Sequence, residues 1–87
     1  EAVVIARTLA VGVEGSDSIA DLLSRIGGRI RASRLDAGMN QAELASGAGL
    51  DRTYIGAVER GRQNVTMAAL LRLADALGVS IDDLISK

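Results

Sequence analysis

The sequence predicts an all-α domain of five short helices behind an N-terminal extension, and three features point there. Nearly half the residues are apolar, yet Phe and Trp are absent and Tyr occurs once, so the core must be Leu, Ile, Val and Ala, which suit close-packed short helices. Gly38, Gly49, Gly61 and Gly78 each fall just past an apolar run, where a residue tolerating positive φ ends a helix. Asn40, Asp51, Thr66 and Ser80 stand at the opposite ends as capping residues. A chain of 87 residues has room for one core.

Residues 1–23 read as an extension and 24–87 as the helical domain. Val3, Ile5, Leu9, Val11 and Val13 occupy odd positions with Gly12 and Gly15 as breakers, a pattern that suggests an extended arm. A lone strand cannot satisfy its backbone, so the arm is expected either to pair with its symmetry mate in a dimer or to be flexible. From Asp17 to Leu23 a turn or two of helix leads into helix 1, with Gly27 and Gly28 weakening that continuity.

Helix 1 has a stripe of Ile26, Ile30 and Leu35 with Ala32 and Ala37, and stops at Gly38. Asn40 caps helix 2, from Gln41 to about Gly47, and Glu43 can reach back to it as a capping box. Gly49 supplies a left-handed turn, Leu50 points inward, and Asp51 caps helix 3, from Arg52 to about Arg60. After a polar loop, Thr66 opens helix 4, whose apolar face is Met67, Leu70, Leu71, Leu73, Ala74 and Leu77. Ser80 caps a short helix 5 with Ile81, Leu84 and Ile85. Helices this short are not stable alone and must hold one another.

The absence of Cys removes zinc fingers, disulfide scaffolds and thiol nucleophiles, and the absence of His removes the commonest general base and metal ligand. The remaining Ser, Asp and Glu form no recognisable catalytic arrangement, so neither an enzyme nor a cofactor is expected. No apolar run is long enough to span a bilayer, and the mildly apolar start lacks the basic region of a signal peptide, which leads to the expectation of a cytoplasmic chain without membrane contact. The net charge of −1 divides unevenly: residues 1–24 carry −3 and residues 65–87 carry −1, while residues 25–64 carry +3, with seven Arg against Asp36, Glu43, Asp51 and Glu59. Positive charge confined to the middle fits a nucleic-acid partner better than the total suggests.

The run NQAELASGAGLDRTYIGAVERG, residues 40–61, decides the reading. Leu44, Ala45, Ala48, Leu50, Ile55 and Val58 are its apolar positions, and Ala45 and Gly49 supply the small residues that two helices meeting at a wide angle require. With the closing ALGVSIDDLI, it resembles the Cro and phage-repressor (xenobiotic-response-element) family of helix-turn-helix proteins over residues 26–85. The resemblance implies a lambda-repressor-like domain that binds double-stranded DNA as a homodimer on a two-half-site operator. Asp51–Ile55, Glu59–Gly61 and Asn64, followed by Thr66, resemble more specifically the controller proteins of restriction-modification systems.

By that resemblance helix 3 enters the major groove and Arg52, Thr53, Gly56 and Ala57 face base edges. Arg52 is the long side chain among them and can donate two hydrogen bonds to guanine. Gly56 and Ala57 allow close approach. In the controller branch Tyr54 also contacts DNA, although packing of its ring against helix 2 is an equal alternative. Gln41 and the amide groups of the helix 2 N-terminus would hold a phosphate, and Arg60, Arg62, Gln63 and Asn64 would follow the backbone beyond it. Arg34 and Glu59 are implied to form a partly buried structural ion pair.

Ile81, Leu84 and Ile85 are too apolar for a solvated tail, so helix 5 is assigned to the dimer interface; its alternative is to cap the monomer's own core. Occupancy near a promoter would block or recruit RNA polymerase. Two other classes stay open. An antitoxin of the same fold would bind a protein toxin, with the acidic, apolar N-terminal segment as its contact, and a pure protein-interaction module would not depend on Arg52.

Overall fold

In a computed structural model, residues 18–86 are described, and they form five helices. These are α1 (Ile19–Asp36), α2 (Gln41–Ala48), α3 (Arg52–Glu59), α4 (Met67–Leu77) and α5 (Ile81–Ile85). The extended arm expected over residues 1–15 lies outside the described residues.

Local chemistry sets the boundaries. The side chains of Ser18, Asn40, Asp51, Thr66 and Ser80 each accept from a backbone N–H in the first turn of the helix that follows, relieving donors that have no partner within the helix. Asn40 Oδ1 accepts from the Glu43 N–H at 2.7 Å while Glu43 Oε1 accepts from the Asn40 N–H at 2.8 Å, the reciprocal box expected there. Ser80 and Asp83 repeat it at α5. Gly49 and Gly78 are left-handed C-caps, as the sequence suggested.

The core is aliphatic: Ile30, Leu44, Ile55, Leu73 and Leu84 are its largest fully buried side chains. α2 packs on α3 and α4, α1 crosses α3 and also touches α4, and α5 lies against α1 and α4. Arg29 Nη1, on α1, donates to the Ser86 carbonyl and so fastens α1 to the end of α5.

Three expectations are corrected. α1 is one 18-residue helix: the boundary placed between residues 23 and 24 falls inside it, and it runs unbroken through Gly27 and Gly28, which were expected to weaken it. The buried positions on α1 are Ile26, Gly27, Ile30 and Arg34, whereas Leu35 is 52% exposed: the stripe advances by four from Ile30 and reaches a charged residue. On α4, Leu70, Leu73, Ala74 and Leu77 are buried but Met67 and Leu71 are exposed, because the partners of α4 cover only one side of it.

Gly27 is a contact point. A β-carbon there would lie 2.2 Å from the Val58 carbonyl oxygen and 2.9 Å from that of Glu59, so α1 approaches the α3 backbone more closely than any side chain permits. Gly28 has nothing within 4 Å of the same position. Opposite signs follow from adjacent residues. Gly27→Ala is expected to destabilise the fold by about 1–3 kcal/mol through overpacking against backbone, and Gly28→Ala to stabilise it by about 0.5–1 kcal/mol as a helix-interior glycine removed. Denaturant midpoints of the two variants, compared with the parent chain, check this; equal shifts would refute the crossing geometry.

Arg34, buried on α1, meets Glu59 at the end of α3. Arg34 Nε donates to Glu59 Oε2 at 2.6 Å and Nη2 to Oε1 at 3.0 Å, while Nη1 donates to the Met39 carbonyl at 2.9 Å. Gln41 Nε2 donates to Glu59 Oε1 at 3.1 Å. The hydrogen bonding that Arg34 donates to Glu59 raises its pKa above its ordinary value against the opposing effect of burial, with the carboxylate charge adding to the rise. A group with a raised folded pKa stabilises the fold at every pH below its unfolded value, so the guanidinium stays charged throughout the neutral range. Glu59→Ala strands this cation and is expected to cost about 3–5 kcal/mol, which in a domain of this size lowers the melting midpoint by about 10 °C or more. A calorimetric midpoint unchanged by the substitution would show that the pair carries no load.

Candidate nucleic-acid interface

α3 is amphipathic in a way that leaves its opening turn outside. Ile55 and Val58 are buried in the core, whereas Arg52 and Thr53 in the opening turn stand exposed. Asp51 Oδ1 accepts from the Thr53 N–H at 3.1 Å, which fixes where the helix starts and therefore which side chains its first turn presents. Arg52 has no hydrogen-bond or ion-pair partner among the described residues.

The other residues assigned to base contact are placed differently. Tyr54 is half-buried and packs against the core. Ala57 is half-buried, and Gly56 is buried. A β-carbon at Gly56 would meet Arg60 Nη1 at 3.2 Å and Gln41 Oε1 at 3.7 Å. These two side chains lie over it, so the close approach expected at Gly56 depends on where they sit.

Gln41 opens α2 but turns its amide inward to Glu59. The phosphate role assigned to that side chain therefore competes with a structural one. The positive end of α2 already holds the Glu43 carboxylate in the capping box, which leaves the first-turn amides of Gln41 and Ala42 for an anion.

Beyond α3 the chain turns at Gly61, whose φ is 72°. The Arg62 N–H reaches back to the Ala57 carbonyl at 2.9 Å and the Gly61 N–H to that of Val58 at 3.0 Å, closing the helix as a Schellman motif. A side chain at Gly61 would also strike Ser24, with a β-carbon 2.7 Å from its Oγ. The turn is thereby pressed onto α1, and it delivers Arg62 and Asn64 exposed and Gln63 half-buried next to the end of α3. Arg52, Arg60 and Arg62 thus all belong to α3 or the turn that ends it. Sequence reasoning missed Gly27; a glycine one turn before Ile30, on the buried side of a helical stripe, was the available signal.

Leu84, assigned to a dimer interface, is fully buried in the chain's own core, and this corrects the assignment. It faces α1 and α4 because α5 closes the bottom of the bundle. Ile81 and Ile85 are half-buried against the same core. Among the described residues, no helix is long and apolar enough to cross a membrane, and no group of His, Cys, Asp or Glu could hold a metal ion.

Comparison with known proteins agrees with this architecture. A helix-turn-helix family model matches residues 30–84. The control protein C.SmaI of Serratia marcescens is 39% identical over 67 residues, covering 77% of this chain and 80% of that protein. A hypothetical transcription factor of Neisseria meningitidis is 43% identical over 60 residues, 69% of this chain, and this chain spans 57% of that protein's length. The crystal structure of the restriction-modification controller protein C.AhdI from Aeromonas hydrophila superposes with a TM-score of 0.70 at 44% identity, covering 71% of this chain and 94% of that one. This chain belongs to the helix-turn-helix family of Cro- and phage-repressor-type proteins, with restriction-modification controller proteins among its relatives.

Proposed function

We propose that this chain is a sequence-specific DNA-binding transcriptional regulator that acts as a two-fold dimer, setting α3 of each copy in the major groove of one half-site. The observation that carries the reading is Arg52, exposed and unpartnered among the described residues, at the start of a helix whose Ile55 and Val58 are locked into the core. A guanidinium so placed can donate a fork of hydrogen bonds to O6 and N7 of a guanine, and Thr53 beside it can reach a neighbouring base or phosphate. Arg62, Gln63 and Asn64 follow the phosphates and set register without reading sequence. Tyr54 supports α3 through its packing against the core, and its hydroxyl would be offered to a phosphate.

Two copies would place their α3 helices about one DNA turn apart, roughly 34 Å. Exposed Met67 and Leu71 on α4, with half-buried Ile81 and Ile85 on α5, are apolar side chains that a second copy could cover, as are exposed Ile19 and Leu35 on α1. The segment on which an antitoxin reading depends lies outside the described residues, and nothing in α1–α5 favours it.

Binding measured against DNA selected from random sequence, at several salt concentrations, tests the reading. Arg52→Ala is expected to lose about tenfold in discrimination while affinity for every sequence still falls as salt rises. Equal selectivity in both proteins would remove Arg52 from base readout. Sedimentation equilibrium is expected to give a dimer, and Ile85→Lys to shift it toward monomer and to weaken binding to a two-half-site duplex more than to a single half-site. A monomer at all concentrations that still binds the paired site tightly would refute the dimer.

A further inference from the structure

The face of α3 that bears Arg52 and Thr53 continues to Gly56 and then to Arg60, since residues three and four apart lie on one side of a helix. Gly56 has no positive φ, so the backbone does not require glycine there. Nor does the core: the atoms a β-carbon would meet are Arg60 Nη1 at 3.2 Å, Gln41 Oε1 at 3.7 Å and Arg60 Cζ at 3.9 Å, all near the ends of side chains. The tightest of these is the Arg60 guanidinium, which lies back along α3 toward its N-terminus, the direction in which helical side chains lean, and which a methyl at Gly56 would push aside by a few tenths of an ångström. Gln41, held by Glu59, forms the wall beside it. Arg60 is exposed and has no hydrogen-bond or ion-pair partner among the described residues.

Resting on the DNA-binding reading above, we infer that Gly56 is a specificity-determining position that works by omission. It admits the Arg60 guanidinium to the groove-facing side of α3, where the fork engages a second set of base-edge acceptors in each half-site. Arg60 therefore belongs with Arg52 in readout and not with Arg62 on the phosphates. The chemistry separates the two: a base edge needs the planar fork, whereas a phosphate accepts any cation.

Affinity of the full chain for its selected operator and for random duplex, over a range of salt, tests this with Gly56→Ala, Arg60→Ala, Arg60→Lys and the Gly56→Ala/Arg60→Ala double variant. Gly56→Ala is expected to melt at or above the parent temperature, because alanine is the better helix former, yet to lose about tenfold on the operator. Arg60→Lys is expected to match Arg60→Ala on the operator, and the double variant to be no weaker than either single one. The inference is overturned if Gly56→Ala binds like the parent, if the two losses multiply, or if Arg60→Lys binds like the parent while Arg60→Ala lowers the salt slope by about one. A parent chain that prefers no sequence overturns the DNA-binding reading and this inference with it; a selective parent with a silent Gly56→Ala overturns this inference alone.

Discussion

One buried carboxylate fixes the angle on which the whole arrangement depends. Glu59 ends α3, Arg34 stands near the end of α1, Gln41 opens α2, and Met39 lies in the connection between α1 and α2; hydrogen bonds through Arg34 and Glu59 join all four. Burying a charge pair is costly, and the cost is offset only when the remaining donors and acceptors also find partners. Here Glu59 accepts three hydrogen bonds and Arg34 donates three. The result is a rigid joint at one end of α3, with its other end, at Arg52, free of the globule.

A joint of this kind needs α1 to come close, and two glycines permit it. Gly27 lets α1 rest on the carbonyls of Val58 and Glu59, and Gly61 lets the turn after α3 rest on Ser24. Both contacts are backbone-limited, so they resist compression more firmly than a layer of side chains would. α3 has eight residues, too few to hold a helical shape unaided, and its conformation is imposed by these neighbours. The exposure of its first turn thus follows from where its last turn is held.

Much of this was legible in the sequence because it is local. Asn40 with Glu43, Asp51, Thr66 and Ser80 act within three residues of themselves, and the left-handed glycines answer to their own φ. What depends on distant elements was not. Leu35, Met67 and Leu71 satisfy the helical spacing of a core stripe but are exposed among the described residues, while Leu84 looked like interface and is core. Gly27 read as a weakness from propensity alone, since the carbonyls it touches are some thirty residues away. The pairing of Arg34 with Glu59 came from family resemblance and not from spacing, and no local pattern announced that Gln41 would join it.

The electrostatics of α3 and its surroundings argue for recognition by side chains and not by helix dipoles. Asp51 occupies the N-terminus of α3 and Glu43 that of α2, so the positive ends of both helices already face carboxylates that weaken their pull on a phosphate. Gln41, the remaining polar side chain at the start of α2, is committed to Glu59. Positive charge in this region therefore resides in the arginines of α3 and its terminal turn, Arg52, Arg60 and Arg62, none of which has an internal partner among the described residues. With Tyr54 packed against the core and Ala57 a short, half-buried side chain, the guanidinium groups are the chief polar chemistry that α3 and its terminal turn present to the outside, and their placement follows from the Arg34–Glu59 hydrogen bonds that hold the far end of the helix.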